Sequence, residues 1–156
     1  MPVIERSILV DAPVEEVFEF VADYRNTIQY QRQFSRLEPV GEPTYGLGLT
    51  VEARGRFKAI PIHARLRITE FSKNERIVSK SVEGLKSEAV WSFAPEGSQT
   101  RVTFTASYGW PLPILSGALR RMLLAELAVM TESSLRELKR LVERKRRGAS
   151  SETSTE

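Results

Sequence analysis

Apolar and polar side chains alternate along residues 49–58 and again along residues 60–69. The apolar positions are Leu49, Val51, Ala53, Gly55 and Phe57 in the first run, and Ile60, Ile62, Ala64, Leu66 and Ile68 in the second. A period of two residues is typical of strands with one face buried and the other in water. The two runs therefore predict strands of an antiparallel sheet whose apolar face must be covered by another element.

Other segments add strands and two early helices to this sheet. Weaker alternation predicts strands at residues 3–10, 35–40, 76–82, 89–95 and 102–110. Pro13 suits the first position of a helix, and apolar residues then recur with helical spacing at Val14, Val17, Phe18, Val21 and Tyr24. A second short helix is expected at residues 27–34.

One long helix is predicted at the end of the chain, from about residue 114 to residue 147. Its length would be about 50 Å at 1.5 Å per residue, and it is the only element large enough to cover the sheet. The fold class is therefore α+β, with a twisted sheet curled around this helix and room for a cavity between them. We expect the charged C-terminal third of the helix to project or fray, and residues 148–156 to form a disordered tail after a domain of residues 1–147.

Composition excludes several classes of site. The chain has no cysteine and a single histidine, so disulfide scaffolds, Cys-based zinc sites, thiol nucleophiles and His-rich metal sites are excluded. No Walker loop, GxGxxG or GxSxG motif occurs, and we expect neither a metal nor a cofactor. No run of about 18 apolar residues is present, and the N-terminus does not resemble a secretory signal. The expected location is the cytoplasm.

The net charge of +3 gives weak support for a nucleic-acid partner. Residues 144–156 hold four basic and two acidic side chains, so the preceding 143 residues carry only +1. A basic run at the end of a helix complements the carbonyl end of the helix dipole. We therefore expect no nucleic-acid partner.

Three motifs resemble one known family. Residues 11–23 read DAPVEEVFEFVAD, residues 93–104 read FAPEGSQTRVTF, and residues 119–126 read LRRMLLAE. They resemble motifs of the polyketide cyclase/dehydrase and lipid-transport family, which belongs to the START-related helix-grip proteins. The resemblance covers about residues 3–143 and implies a seven-stranded antiparallel sheet gripping a C-terminal helix around a hydrophobic cavity. Catalytic residues of the cyclases have no positional match here, so none is carried over.

The predicted cavity wall combines aromatic residues on inward strand positions with residues of the helices. An apolar cavity with a few polar groups is the usual form of a small-molecule site, although the same aromatic residues would also suit a plain core. The predicted set is Tyr24, Tyr30, Phe57, Leu66, Trp91, Phe93, Phe104, Tyr108, Leu119, Met122, Leu123 and Glu126.

Glu126 and Tyr30 are the candidates for proton transfer. If Glu126 faces the cavity, burial would raise its pKa and it could act as a general acid or base; the alternative is an edge position paired with Arg120 or Arg121. His63 shares the polar register of Arg65 and is expected to face solvent.

The favoured hypothesis is a module that binds a hydrophobic small molecule of lipid, polyketide or aromatic type. The alternatives are a cyclase/dehydrase-like enzyme that uses Tyr30 or Glu126, and an interaction protein that uses its arginine-rich face. Residues 110–115 (WPLPIL) could contact a membrane, gate the cavity or join sheet to helix; stable membrane insertion is not expected.

Overall fold

The computed structural model describes residues 2–109 and 116–153, with side chains described to residue 149. Its described elements follow the chain in the order β1, α1, α2, β2 to β7, α3. The strands are β1 Val3–Val10, β2 Phe34–Pro39, β3 Thr50–Phe57, β4 Ile60–Ser72, β5 Arg76–Gly84, β6 Ser87–Glu96 and β7 Gln99–Tyr108. The helices are α1 Val14–Ala22, α2 Tyr24–Tyr30 and α3 Gly117–Thr153. The hydrophobic segment at residues 110–115 lies outside the described residues.

The strands form one antiparallel sheet in the order β1-β7-β6-β5-β4-β3-β2. Strands β2 to β7 therefore form a meander. The last strand, β7, also pairs with the first strand, β1, along the whole length of β1. The sheet curls into a half-barrel with the helices on its concave side. This confirms the prediction of an α+β fold in which the sheet curls around the long helix. The strongest alternation in the sequence falls on β3 and β4, which are neighbours through register pairs such as Val51 with Leu66.

The two short helices follow β1, and capping residues set their limits. The Pro13 carbonyl accepts hydrogen bonds from the Glu16 and Val17 N–H groups, which starts α1. Asp23 ends α1 and caps α2, since its carboxylate accepts the Arg25 N–H at 3.0 Å. The second helix therefore occupies Tyr24–Tyr30 instead of residues 27–34, and the segment after it leads into β2.

The long helix is attached by its C-terminal half, contrary to the expectation that its charged end would project. It packs against β1, α2 and α1, and Leu138 is fully buried in this contact. Lys139 donates to the Leu9 carbonyl at 2.9 Å, and Arg146 donates to the Asp11 carbonyl at 3.2 Å. The charged head groups of these two side chains thus anchor the helix to the end of β1 and the residue after it. The helix also continues past residue 147 to Thr153, so the predicted tail boundary does not coincide with a helix end.

The main core lies where α1 and the C-terminal half of α3 cover one half of the sheet. Phe18 is fully buried there, with edge-to-face contacts to Phe71 and Phe93 at centroid distances of 5.2 and 5.3 Å. The other half of the concave face, formed mainly by β3 and β4, is not filled in this way. The unfilled half is where the cavity lies.

Candidate functional site

A cavity of about 200 Å3, partly open to solvent, lies between the sheet and the helices. Its wall is formed by residues of β2 to β7, by the end of α1, by α2 and by three residues of α3, namely Leu123, Leu127 and Met130. The inward positions of β3 and β4 supply a continuous apolar surface, because their side chains alternate between the two faces of the sheet. The cavity therefore follows from the alternation first seen in the sequence.

Eight of the twelve residues predicted for the site lie on this wall. Trp91 and Phe104 are cross-strand neighbours with ring centroids 4.5 Å apart, and the Tyr30 ring stands perpendicular to Trp91 at 6.0 Å. These three aromatic residues form one continuous surface inside the cavity. The full set on the wall is Tyr24, Tyr30, Phe57, Leu66, Trp91, Phe104, Tyr108 and Leu123.

The other four predicted residues do not line the cavity. Phe93 belongs to the core beside Phe18, because α1 covers its end of β6. Leu119 and Met122 lie in the N-terminal part of α3 and are 43% and 58% exposed, since that part of the helix is not packed on the sheet. Glu126 is half-exposed and forms a salt bridge of 3.0 Å with Lys58 of the β3–β4 turn, not with Arg120 or Arg121.

Two wall residues, Tyr30 and Tyr108, have phenol groups with a raised pKa. Burial strongly raises the pKa of Tyr30, whose hydroxyl is hydrogen-bonded to the Thr27 side chain. Burial also raises the pKa of Tyr108 to about 12. Both phenols therefore stay protonated at neutral pH, so each can orient a ligand as a hydrogen-bond donor or acceptor but neither serves as a base.

The raised pKa of Tyr108 predicts a loss of stability in alkaline solution. Its folded value of about 12 exceeds the value of about 10 of an exposed phenol. Between these two values the folded state keeps a proton that the unfolded state has released, so the free energy of unfolding falls as pH rises. Tyr108→Phe is expected to reduce this fall, measured by urea denaturation between about pH 10 and about pH 12. Ser79→Ala, which removes a non-titrating hydroxyl from the same wall, should leave the slope unchanged; equal slopes in Tyr108→Phe and the parent protein would contradict the assignment.

Gln33 is a wall residue that sequence reasoning missed. It was hidden because residues 27–34 were predicted as helix, whereas the chain leaves α2 at Tyr30 and Gln33 enters the β2 connection. Its side-chain Oε1 is buried and has no hydrogen-bond partner among the described residues. Ile60, Ile62 and Ile68, which also line the cavity, could have been added from the alternation because they share the face of Leu66.

The opposite face of the sheet carries the single histidine, as predicted. His63 Nε2 lies 2.6 Å from Glu52 Oε1 and Arg65 donates to the other oxygen at 3.1 Å. These hydrogen bonds, first to His63 and then to Arg65, lower the pKa of the Glu52 carboxyl. His63 therefore takes part in a surface ion-pair network away from the cavity. In the part of the chain that the structure describes, no three His, Asp or Glu side chains lie together as a metal site would require.

Comparison with known families identifies the chain. The sequence model described as polyketide cyclase / dehydrase and lipid transport matches residues 1–143. The chain belongs to this family. The match spans the sheet, both early helices and the buried half of α3, so the family assignment covers every element that surrounds the cavity.

Solved structures of similar fold confirm that this chain has the helix-grip fold. TTHA0849 from Thermus thermophilus is 26% identical and superposes with a TM-score of 0.78, covering 90% of this chain and 97% of that one. The ZhuI aromatase/cyclase from a Streptomyces species has a TM-score of 0.78 at 16% identity, covering 95% and 97%. A START superfamily protein from Mycobacterium smegmatis has a TM-score of 0.71 at 13% identity, covering 89% and 98%. No curated protein sequence matches significantly.

The family description covers both cyclases and lipid carriers. Family and fold together indicate a protein that binds a hydrophobic ligand or resembles a polyketide cyclase. Among the helices of the described residues, none is long and apolar enough to cross a membrane.

Proposed function

We propose that the protein binds a hydrophobic small molecule in the cavity between the sheet and α3. The observation that carries this proposal is the cavity itself, about 200 Å3 in volume, with a wall made mostly of aliphatic and aromatic side chains. An apolar cavity of about 150 Å3 is enough to admit a benzene ring. The present cavity is therefore suited to a ligand with one or two fused rings, or to part of a longer chain.

The wall residues that we assign to the ligand are those that the structure places together there. Tyr30, Trp91 and Phe104 offer flat surfaces, while the β3 and β4 side chains, including Phe57 and Leu66, provide the opposite wall. Burial of apolar ligand surface would contribute about 25 cal/mol per Å2. Most of the affinity would therefore come from ligand surface that is removed from water. The expected location of the protein is the cytoplasm.

Naphthalene is a suitable probe because it is apolar, rigid and close in size to the cavity. We expect it to perturb the methyl NMR signals of Ile62, Leu66 and Leu127, which line the wall. Ala64→Phe should weaken this binding at least about tenfold, because Ala64 is buried on the wall and the added ring would fill the space.

Ala94→Phe is the matched control, since Ala94 is an exposed residue of β6 and the same change there adds a ring on the surface. Thermal denaturation of both variants establishes that they are folded, and Ile62→Phe fills the same cavity should Ala64→Phe unfold. Unperturbed methyl signals at saturating naphthalene, or unchanged affinity in both filling variants, would refute the proposal.

The cyclase-like alternative has weaker support from the geometry. Glu126, the carboxylate predicted for proton transfer, is paired with Lys58 and does not line the cavity. Tyr30 does line it, but its raised pKa keeps it protonated at neutral pH, which opposes a role as general base and leaves only the role of proton donor. Binding without proton transfer is therefore the function that the arrangement of the described residues supports best.

A further inference from the structure

The described part of the cavity wall has almost no charged side chains. Among the described wall residues there is no lysine, arginine or histidine, and Glu88 is the only one with a carboxylate. The alternation along β6 places Glu88 on the opposite face of the sheet from Ala89 and Trp91, which face the cavity. This part of the structure therefore gives the cavity no positive group to neutralise an anionic ligand, and transferring an unpaired charge into it would be costly.

Gln33 is a wall residue whose side chain carries a buried acceptor without a partner. Its Oε1 and the Asn74 Oδ1 are the two buried side-chain oxygen or nitrogen atoms without a partner within the described residues. Asn74 lies in the β4–β5 turn, so Gln33 alone of the two borders the cavity. A buried acceptor without a donor is unfavourable, and such groups are normally satisfied.

The backbone holds Gln33 firmly in this position. Its carbonyl oxygen accepts the Arg56 N–H at 2.8 Å, next to an irregularity in the β2–β3 pairing. Gly55 is the register partner of the next residue, Phe34, and its lack of a side chain lets the Gln33 backbone approach closely. The amide is thus attached to a fixed segment of the wall.

We propose that the ligand is a neutral apolar molecule bearing a hydroxyl or N–H group, and that the Gln33 side chain, whose Oε1 is closed to solvent in this structure, turns toward the cavity to accept a hydrogen bond from that group. This inference rests on the proposed function and adds to it the chemical class of the ligand. Carboxylate ligands are disfavoured by the same wall, because no cation among the described residues faces them. The Tyr108 hydroxyl, also on the wall, remains available to a second polar atom of the ligand.

Four naphthalenes test this assignment: the unsubstituted ring and derivatives with one hydroxyl, methoxy or carboxylate group at the same carbon. At neutral pH we expect the hydroxyl derivative to bind about fivefold more tightly than naphthalene, as one neutral hydrogen bond allows. The carboxylate should bind at least about tenfold more weakly than the hydroxyl derivative. The methoxy derivative, which cannot donate, should show no advantage over naphthalene.

The variant Gln33→Met keeps the length of the side chain and removes the amide. It should abolish the preference for the hydroxyl derivative, so that this compound and naphthalene bind the variant with equal affinity. Gln29→Met is the matched control, because Gln29 is exposed on α2 and does not line the cavity, and it should preserve the preference.

The possible results separate this inference from the proposed function. If naphthalene and its hydroxyl derivative bind equally, or if Gln33→Met retains the preference, the donor assignment is refuted while the binding function stands. A methoxy preference that depends on Gln33 would also refute it, because the amide would then present its N–H group. Tight binding of the carboxylate would refute the neutral class. Failure of all four compounds to bind would overturn the proposed function together with this inference.

Discussion

Truncation of Phe18 to alanine is expected to lower the free energy of unfolding by about 3–5 kcal/mol, the range for removing a fully buried aromatic side chain. Phe18 is completely inaccessible, and its ring joins α1 to the sheet through Phe71 and Phe93. Because these two neighbouring rings are held on β4 and β6, they can close the vacated space only in part. Urea denaturation followed by circular dichroism would measure the change.

The control for this prediction is Phe57→Ala. Phe57 lines the cavity and is only partly buried, so its loss leaves a site that already contains space, and we expect a destabilisation of less than about 2 kcal/mol. An effect of Phe18→Ala equal to or smaller than that of Phe57→Ala would show that the core does not centre on α1.

The contrast between these two phenylalanines shows what the sequence could establish. Alternation in β3, β4 and β7, and helical spacing from about residue 114, predicted the sheet, the covering helix and the α+β class, because these patterns reflect burial on one face of one element. The structure confirms that architecture. Phe93 was nevertheless placed in the cavity, since alternation identifies a buried face without showing which other element covers it.

The long helix illustrates the same limit. Its apolar stripe has members in both halves, from Leu119 to Leu141, so periodicity alone does not favour one half of the helix over the other. In the structure the early part of the stripe is exposed, whereas Leu135 and Leu138 are buried against β1 and α2. Which part of the stripe is buried depends on how α3 is positioned over the sheet. That position is a result of tertiary packing, which periodicity does not record.

Gln33 was missed for a local reason. Asp23 caps the second helix one turn earlier than the apolar pattern indicated, which frees the segment after Tyr30 to cross the end of β3. Competition between capping and periodicity moves a boundary by a few residues. Here that shift decides whether a polar side chain lies on a helix or on the cavity wall.

Gly55 is the residue that permits this crossing, and its replacement by alanine should have the second large effect. A Cβ atom at Gly55 would lie 1.8 Å from the Gln33 carbonyl oxygen and 2.8 Å from the Phe34 Cα. Both obstacles are backbone atoms of a hydrogen-bonded segment, so the strand or the crossing must move. We expect Gly55→Ala to lower the free energy of unfolding by about 3 kcal/mol or more, at the upper end of the cost of overpacking.

The displacement should also reach the cavity. Because Gln33 and Phe34 both lie on its wall, Gly55→Ala is expected to abolish the preference for hydroxyl-bearing naphthalene in protein that remains folded. Gly148→Ala is the matched control: Gly148 lies within α3, where an added Cβ atom would meet no other described part of the fold within 4 Å, and alanine favours a helix by up to about 1 kcal/mol. Unchanged stability and unchanged ligand preference in Gly55→Ala would mean that the crossing is flexible. This result would contradict the inference that the backbone of Gln33 is held in a fixed position.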